Sequence, residues 1–199
     1  MPLAPSVRAT FTQRTLEAAE RLEPTIAQKL RAQMPAESLR RIEQTSRLDW
    51  LPIEDDLELT RVIAGLFGPE RARAFWRQNL LDALSAPLLG PIAKGAVQLF
   101  GPTPGAMVRW APRAWPHVYS ACGELGASAR ESSATLSWRA IPQALRQSTL
   151  FARALGQAFG SFFDFTCTDG EVETDLRGLD AGRVVFLFRW KGDARESSA

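Results

Sequence analysis

The stretch Glu124-Leu125-Gly126-Ala127-Ser128-Ala129-Arg130-Glu131-Ser132-Ser133-Ala134-Thr135-Leu136-Ser137-Trp138-Arg139 decides the class of fold. Leu125, Ala127 and Ala129 alternate with Glu124, Gly126 and Ser128. Ala134, Leu136 and Trp138 then alternate with Thr135, Ser137 and Arg139. A period of two on either side of the polar turn 130–133 predicts an antiparallel hairpin. Downstream, two more strands are expected near 165–176 and 183–190. The second is almost continuously apolar through Val184-Val185-Phe186-Leu187-Phe188, which suits a strand covered on both faces. Between the hairpins, Pro142 opens a long helix over 143–162, with Leu145, Ala152, Leu155, Phe159 and Phe162 as its buried stripe.

Upstream the texture is helical. Leu16, Ala19 and Leu22 mark a helix over 10–23. Pro24 starts a second helix with Ile26, Ala27, Leu30 and Met34 at helical spacing, and Pro35 ends it before a short helix through Leu39 and Ile42. Leu48 to Pro52 reads as a buried connector, and Asp55 or Asp56 as the cap of the next helix. Gly68 stops that helix and Pro69 opens another, whose Phe75 and Trp76 face inward while Arg71, Arg73 and Arg77 point away. Two further helices begin at Pro91 and Pro104, the latter to be kinked or divided by Pro112 and Pro116. The class that follows is α+β: a helical N-terminal half packed on a four-stranded antiparallel sheet, two hairpins joined by a long helix. A single domain spans 1–199, helical over 10–86, helix-helix-hairpin-helix-hairpin over 87–191, with a disordered tail at 192–199.

Composition bounds the rest. The 199 residues suit one substantial core, and 45% hydrophobic with 23% charged residues is ordinary for a globular chain. A net charge of +2 is too balanced to imply a nucleic-acid surface. No run approaches the roughly 18 apolar residues of a membrane span. The first thirteen residues lack the apolar segment of an export signal, so Cys122 and Cys167 read as reduced, buried thiols of a cytoplasmic protein.

Chemistry is sparse. His117 is the one histidine, with no ligand-spaced partner around it, so neither a metal site nor a catalytic base is built on it. The chain has no Gly-rich phosphate loop and no nucleophile elbow. Glu171, Glu173 and Asp175 read as one solvated strand face. Arg109, Arg113 and His117 recur every four residues and would form an anion or acidic-partner patch, or else a plain solvated helix face. Ala152, Gly156 and Gly160 form a stripe of small residues on the long helix. It either packs closely on the sheet or edges an apolar ligand site with Leu155 and Phe159.

Several segments resemble known proteins. Leu48-Asp49-Trp50-Leu51-Pro52, Leu66-Phe67-Gly68-Pro69-Glu70-Arg71, Arg109-Trp110-Ala111-Pro112-Arg113-Ala114-Trp115 and Cys122-Gly123-Glu124-Leu125 resemble an uncharacterised paralogous family of about 200 residues expanded in myxobacteria. From residue 87 onward the order of elements is similar to the 4-vinyl reductase, haem–nitric-oxide-binding and TRAPP-like domains. That resemblance implies a non-enzymatic regulatory or sensory module that binds an apolar small molecule, a protein partner, or both. The alternative it implies is a ligand-free dimeric interaction platform of TRAPP-like type. No haem-ligating histidine and no Tyr-x-Ser-x-Arg clamp can be placed, which leaves the cofactor unknown and haem doubtful.

Overall fold

The computed structural model describes residues 4–191. The tail expected at 192–199 lies outside them. The chain begins with a short strand, β1 (Ser6–Arg8), followed by three helices, α1 (Ala9–Leu22), α2 (Pro24–Gln33) and α3 (Ala36–Gln44). After β2 (Trp50–Pro52) comes α4 (Ile53–Leu84), whose two halves meet at Gly68. There φ is +71°, left-handed backbone that glycine adopts without a Cβ penalty, and Pro69 restarts the helix. Then follow α5 (Gly90–Phe100), α6 (Pro104–Val118) and β3 (Tyr119–Ser120). Thr103 caps α6 by accepting the Ala106 N–H, and the helix runs on through Pro112 and Pro116 without dividing.

The fold is α+β, and the sheet read from the sequence is present. Its strands are β4 (Glu124–Ala129), β5 (Ser133–Arg139), β6 (Gly170–Asp175) and β7 (Val184–Trp190), antiparallel in the order β4-β5-β7-β6. Leu136, Trp138, Val184, Phe186 and Phe188 are all buried on one side of it. Phe162 stacks on Phe188 at 6.0 Å, and Phe159 meets Phe186 edge-on at 5.0 Å.

The structure departs from the sequence reading in several places. The helix expected over 143–162 is three pieces, α7 (Gln143–Arg146), α8 (Thr149–Phe159) and α9 (Ser161–Phe165). Ser148 accepts the Phe151 N–H as an N-cap, which starts α8 afresh. The helix α9 occupies the start of the strand expected from 165, so β6 begins at Gly170. A second sheet, in the order β2-β1-β3, was not foreseen, and β1 lies in its middle, with Val7 opposite both Leu51 and Tyr119. Trp110 is half-buried beneath the Arg113 guanidinium, 4.5 Å above its ring.

Candidate functional site

Where α1, α4, α6, α8 and α9 converge on β4, the structure leaves a cavity of about 80 Å3. Phe11, Leu84, Trp115, Leu125, Leu155 and Phe162 represent the elements that wall it, and every exposed lining atom is apolar. Such a lining offers a water no hydrogen-bonding partner. Its presence follows from what the helices carry: Ala111, Ala114 and Ala158 withhold volume at places where their neighbours are large.

Tyr119 joins this wall to a buried polar cluster. Its ring packs against Trp115 at 4.4 Å and against Phe11 and Phe151. Behind it, Asp56 is buried and its Oδ1 accepts a 3.0 Å hydrogen bond from the Thr12 hydroxyl. Burial pushes the Asp56 carboxyl up to about 6, against the opposing pull of hydrogen bonds from Thr12 and Tyr119. Burial likewise raises the Tyr119 hydroxyl well above the usual phenol range, and the Cys122 thiol up to about 12. Cys122 donates to the Ser120 and Ser6 carbonyls at 3.3 and 3.5 Å. A thiol this basic stays protonated and is inert as a nucleophile.

The neighbouring Asp55 is wholly buried and held by two bonds from Arg41, Nη2 to Oδ1 at 2.6 Å and Nε to Oδ2 at 2.9 Å. Neither aspartate caps α4, as the sequence had suggested; both sit in its first turn and face the core. The signal that could have shown this is their place beside Ile53, Leu57 and Leu59 on the inward phase of the helix.

The expected site residues are not brought together. Leu155 and Phe159 wall the apolar cavity, whereas Gly156 and Gly160 open on the other side of α8, into a polar basin. Gly156 packs on the Thr174 side chain and the Phe186 ring, so close contact with the sheet accounts for its missing side chain. Ala152 is wholly buried and borders neither space. Arg109, Arg113 and His117 are exposed along α6. Arg109 donates to the Ala129 carbonyl at 3.2 Å, Arg113 lies on Trp110, and the His117 imidazole is on the face turned from the cavity. Of the two cysteines expected to be buried, Cys167 is exposed, because it falls in the turn between α9 and β6 with a φ of +51°. Among the described residues no group of three or more His, Cys, Asp or Glu side chains could hold a metal ion. No helix there is long and apolar enough to cross a membrane.

No known family's sequence profile matches the chain, and no curated protein matches it either. Solved structures do match. One is the Fe(II) unliganded H-NOX protein from K. algicida, 10% identical, covering 94% of this chain and 98% of that one with a TM-score of 0.60. Another is an oxygen-binding H-NOX domain related to soluble guanylate cyclases, in its oxygen complex, 12% identical over 93% and 95% of the two chains at 0.57. A third, described by its protein-induced porphyrin distortion and haem redox potential, is 11% identical over 92% and 99% at 0.57. These matches support the haem–nitric-oxide-binding part of the sequence resemblance and lend nothing to its 4-vinyl reductase, TRAPP-like or myxobacterial parts. They also correct the expectation that haem is doubtful, because the architecture is shared over 92% of this chain with a structure described by its haem redox potential. At these identities the likeness shows the fold, and the fold is that of the H-NOX domains.

Proposed function

We propose that this chain is a non-catalytic sensory domain that takes an apolar small molecule into the interior between α1, α4, α6, α8 and the sheet. The observation that carries the reading is a wholly apolar cavity at the meeting point of those elements. Such a space favours a ligand without hydrogen-bonding groups, since none would be answered. The fold adds support, because one matching structure is described as an oxygen-binding domain.

Haem is a plausible cofactor for an architecture of this kind. In the conformation described here the space is about 80 Å3, below the roughly 300–1,000 Å3 of cofactor pockets, and the one imidazole is turned outward. The side chains as they stand do not enclose a space of porphyrin size. What this chain supplies is a small apolar site walled by Phe11, Trp115, Leu155 and Phe159.

The test is to express the chain with and without added haem precursor and record the absorbance spectrum and the native mass of the purified protein. A Soret band, or a retained apolar mass, or xenon bound at the cavity in pressurised crystals, supports the sensory reading and names its occupant. Protein that carries no mass, no Soret band and no xenon overturns it. The dimeric, ligand-free platform would then lead, with the exposed Leu99 and Phe100 of α5 as its first surface to examine.

A further inference from the structure

A basin of about 700 Å3 runs along the open edge of the four-stranded sheet, between β6 on one side and α4 and α8 on the other. Five successive residues of β6, Gly170 to Thr174, border it. Among the described residues no strand neighbours that edge.

Which backbone groups face the basin follows from the ladder. The Trp190 N–H donates to the Ser132 carbonyl, on the β5 side. Antiparallel bonding pairs alternate, so the even-numbered residues of β7 bond to β5 and the odd-numbered ones bond to β6. The register sets Arg189, Leu187 and Val185 opposite Glu171, Glu173 and Asp175. Those three residues of β6 are therefore spent on the sheet. The N–H and C=O groups of Gly170, Val172 and Thr174 point outward, and no other backbone bond among the described residues takes them.

The far wall is basic. Arg73 and Arg77 come from α4 and Arg153 from α8. Arg77 is engaged, with Nε and Nη2 on the two oxygens of Asp164 at 2.5 and 2.7 Å. Arg73 and Arg153 are exposed and have no carboxylate partner among the described residues. Side chains alternate along β6: Val172 and Thr174 lie on the helix side, where Thr174 meets Gly156, and Glu171 and Glu173 lie on the other. On that other face Glu173 already pairs with Arg189 of β7 at 3.4 Å, which leaves Glu171 as the carboxylate without a partner among the described residues, opposite the basic face of the helices.

We propose that this edge receives an extended segment of a partner protein by strand addition, and that the segment carries Asp or Glu at every second residue with no acidic residue between. Its backbone bonds to Gly170, Val172 and Thr174. Its carboxylates face Arg73 and Arg153, and its intervening side chains face Glu171 and Glu173. Main-chain bonding supplies attachment and the alternating charges supply choice of partner. The inference stands apart from the apolar cavity, which lies on the opposite side of α8.

Panning a display library of random dodecapeptides against the intact protein tests it. The expected enriched peptides alternate acidic with neutral or basic residues. They should bind R73E/R153E about tenfold more weakly or worse, because two exposed charge contacts become repulsions, yet bind R109E/R113E as they bind the parent. Circular dichroism checks that R73E/R153E remains folded, and both arginines are exposed. N-methylation of the edge-facing amides in an enriched peptide should abolish binding at unchanged charge. The proposal is overturned by any of four results: no enrichment, enriched peptides without the alternation, equal binding to R73E/R153E, or equal binding of the N-methylated peptide.

Discussion

A Cβ built on Gly156 would lie 2.0 Å from the Thr174 hydroxyl oxygen, so α8 meets β6 with the Thr174 side chain in the space that a Cβ would take. The first prediction follows. Gly156→Ala should destabilise the protein by about 1–3 kcal/mol through overpacking, seen as a lower midpoint in urea. Thr174→Ala should recover part of that loss in the double variant, because the next atom, the Thr174 Cβ, stands at 3.3 Å. A neutral Gly156→Ala would mean that α8 does not press on the strand.

The second prediction concerns Asp56. Its carboxyl titrates near 6 in the fold and near 4 when unfolded, so the folded chain binds the extra proton between those values. Stability from this group is full below about pH 4 and is lost as pH rises through about 6, on the order of 3 kcal/mol in all. Asp56→Asn keeps an oxygen for the Thr12 and Tyr119 hydroxyls and removes the charge. The variant should be more stable than the parent at pH 7.5, and its stability should change less between pH 4 and 6. Denaturant midpoints across that range decide the matter; a parent curve as flat as the variant's would place Asp56 in contact with water.

Third, Arg41→Met should cost about 3 kcal/mol, because it leaves the wholly buried Asp55 carboxylate without its partner. Asp55→Leu in the same chain should restore much of the loss, since an apolar pair of similar bulk can replace a buried ion pair. Recovery in the double variant separates an orphaned charge from a general packing defect.

Fourth, Ala158→Leu should fill the apolar cavity and abolish xenon uptake, with a stability change within about 1.5 kcal/mol if the space accepts the added carbons. Undiminished xenon binding in a folded Ala158→Leu protein would put the occupant elsewhere.

Much of the architecture is legible where the signal is local. Period-two alternation across 124–139 announces β4 and β5, and Gly68-Pro69 announces the break in α4, because each depends on residues within a few positions of one another. The sheet of β1, β2 and β3 escapes notice for the opposite reason. Its strands are three, three and two residues long, too short for any periodicity, and Val7 finds its partners at Leu51 and Tyr119. Asp55 and Asp56 resemble caps because an acidic pair at a helix start normally is one. Only the approach of Arg41 and Thr12, remote in sequence, makes them a buried cluster. The cavity is harder still, since its wall is assembled from seven elements and depends on how they pack. From sequence, Leu155 and Phe159 could be placed on the inward stripe of their helix, but the side of α8 on which Gly156 and Gly160 open could not.

The position of β1 bears on how the chain is made. Val7 is synthesised before both of its strand partners, and the second of them, Tyr119, emerges more than a hundred residues after it. At cellular elongation rates of about 5–20 residues per second, that interval is on the order of ten seconds. Throughout it the nascent chain carries a short strand with one side unanswered, and even the Leu51 side can close only after the helices between have left the ribosome. The small sheet is thus a late clasp: a polypeptide arrested just before residue 119 has α1 to α6 but not the third strand of the small sheet, and ribosome-bound chains of increasing length should resist proteolysis at β1 only once that residue is out of the exit tunnel.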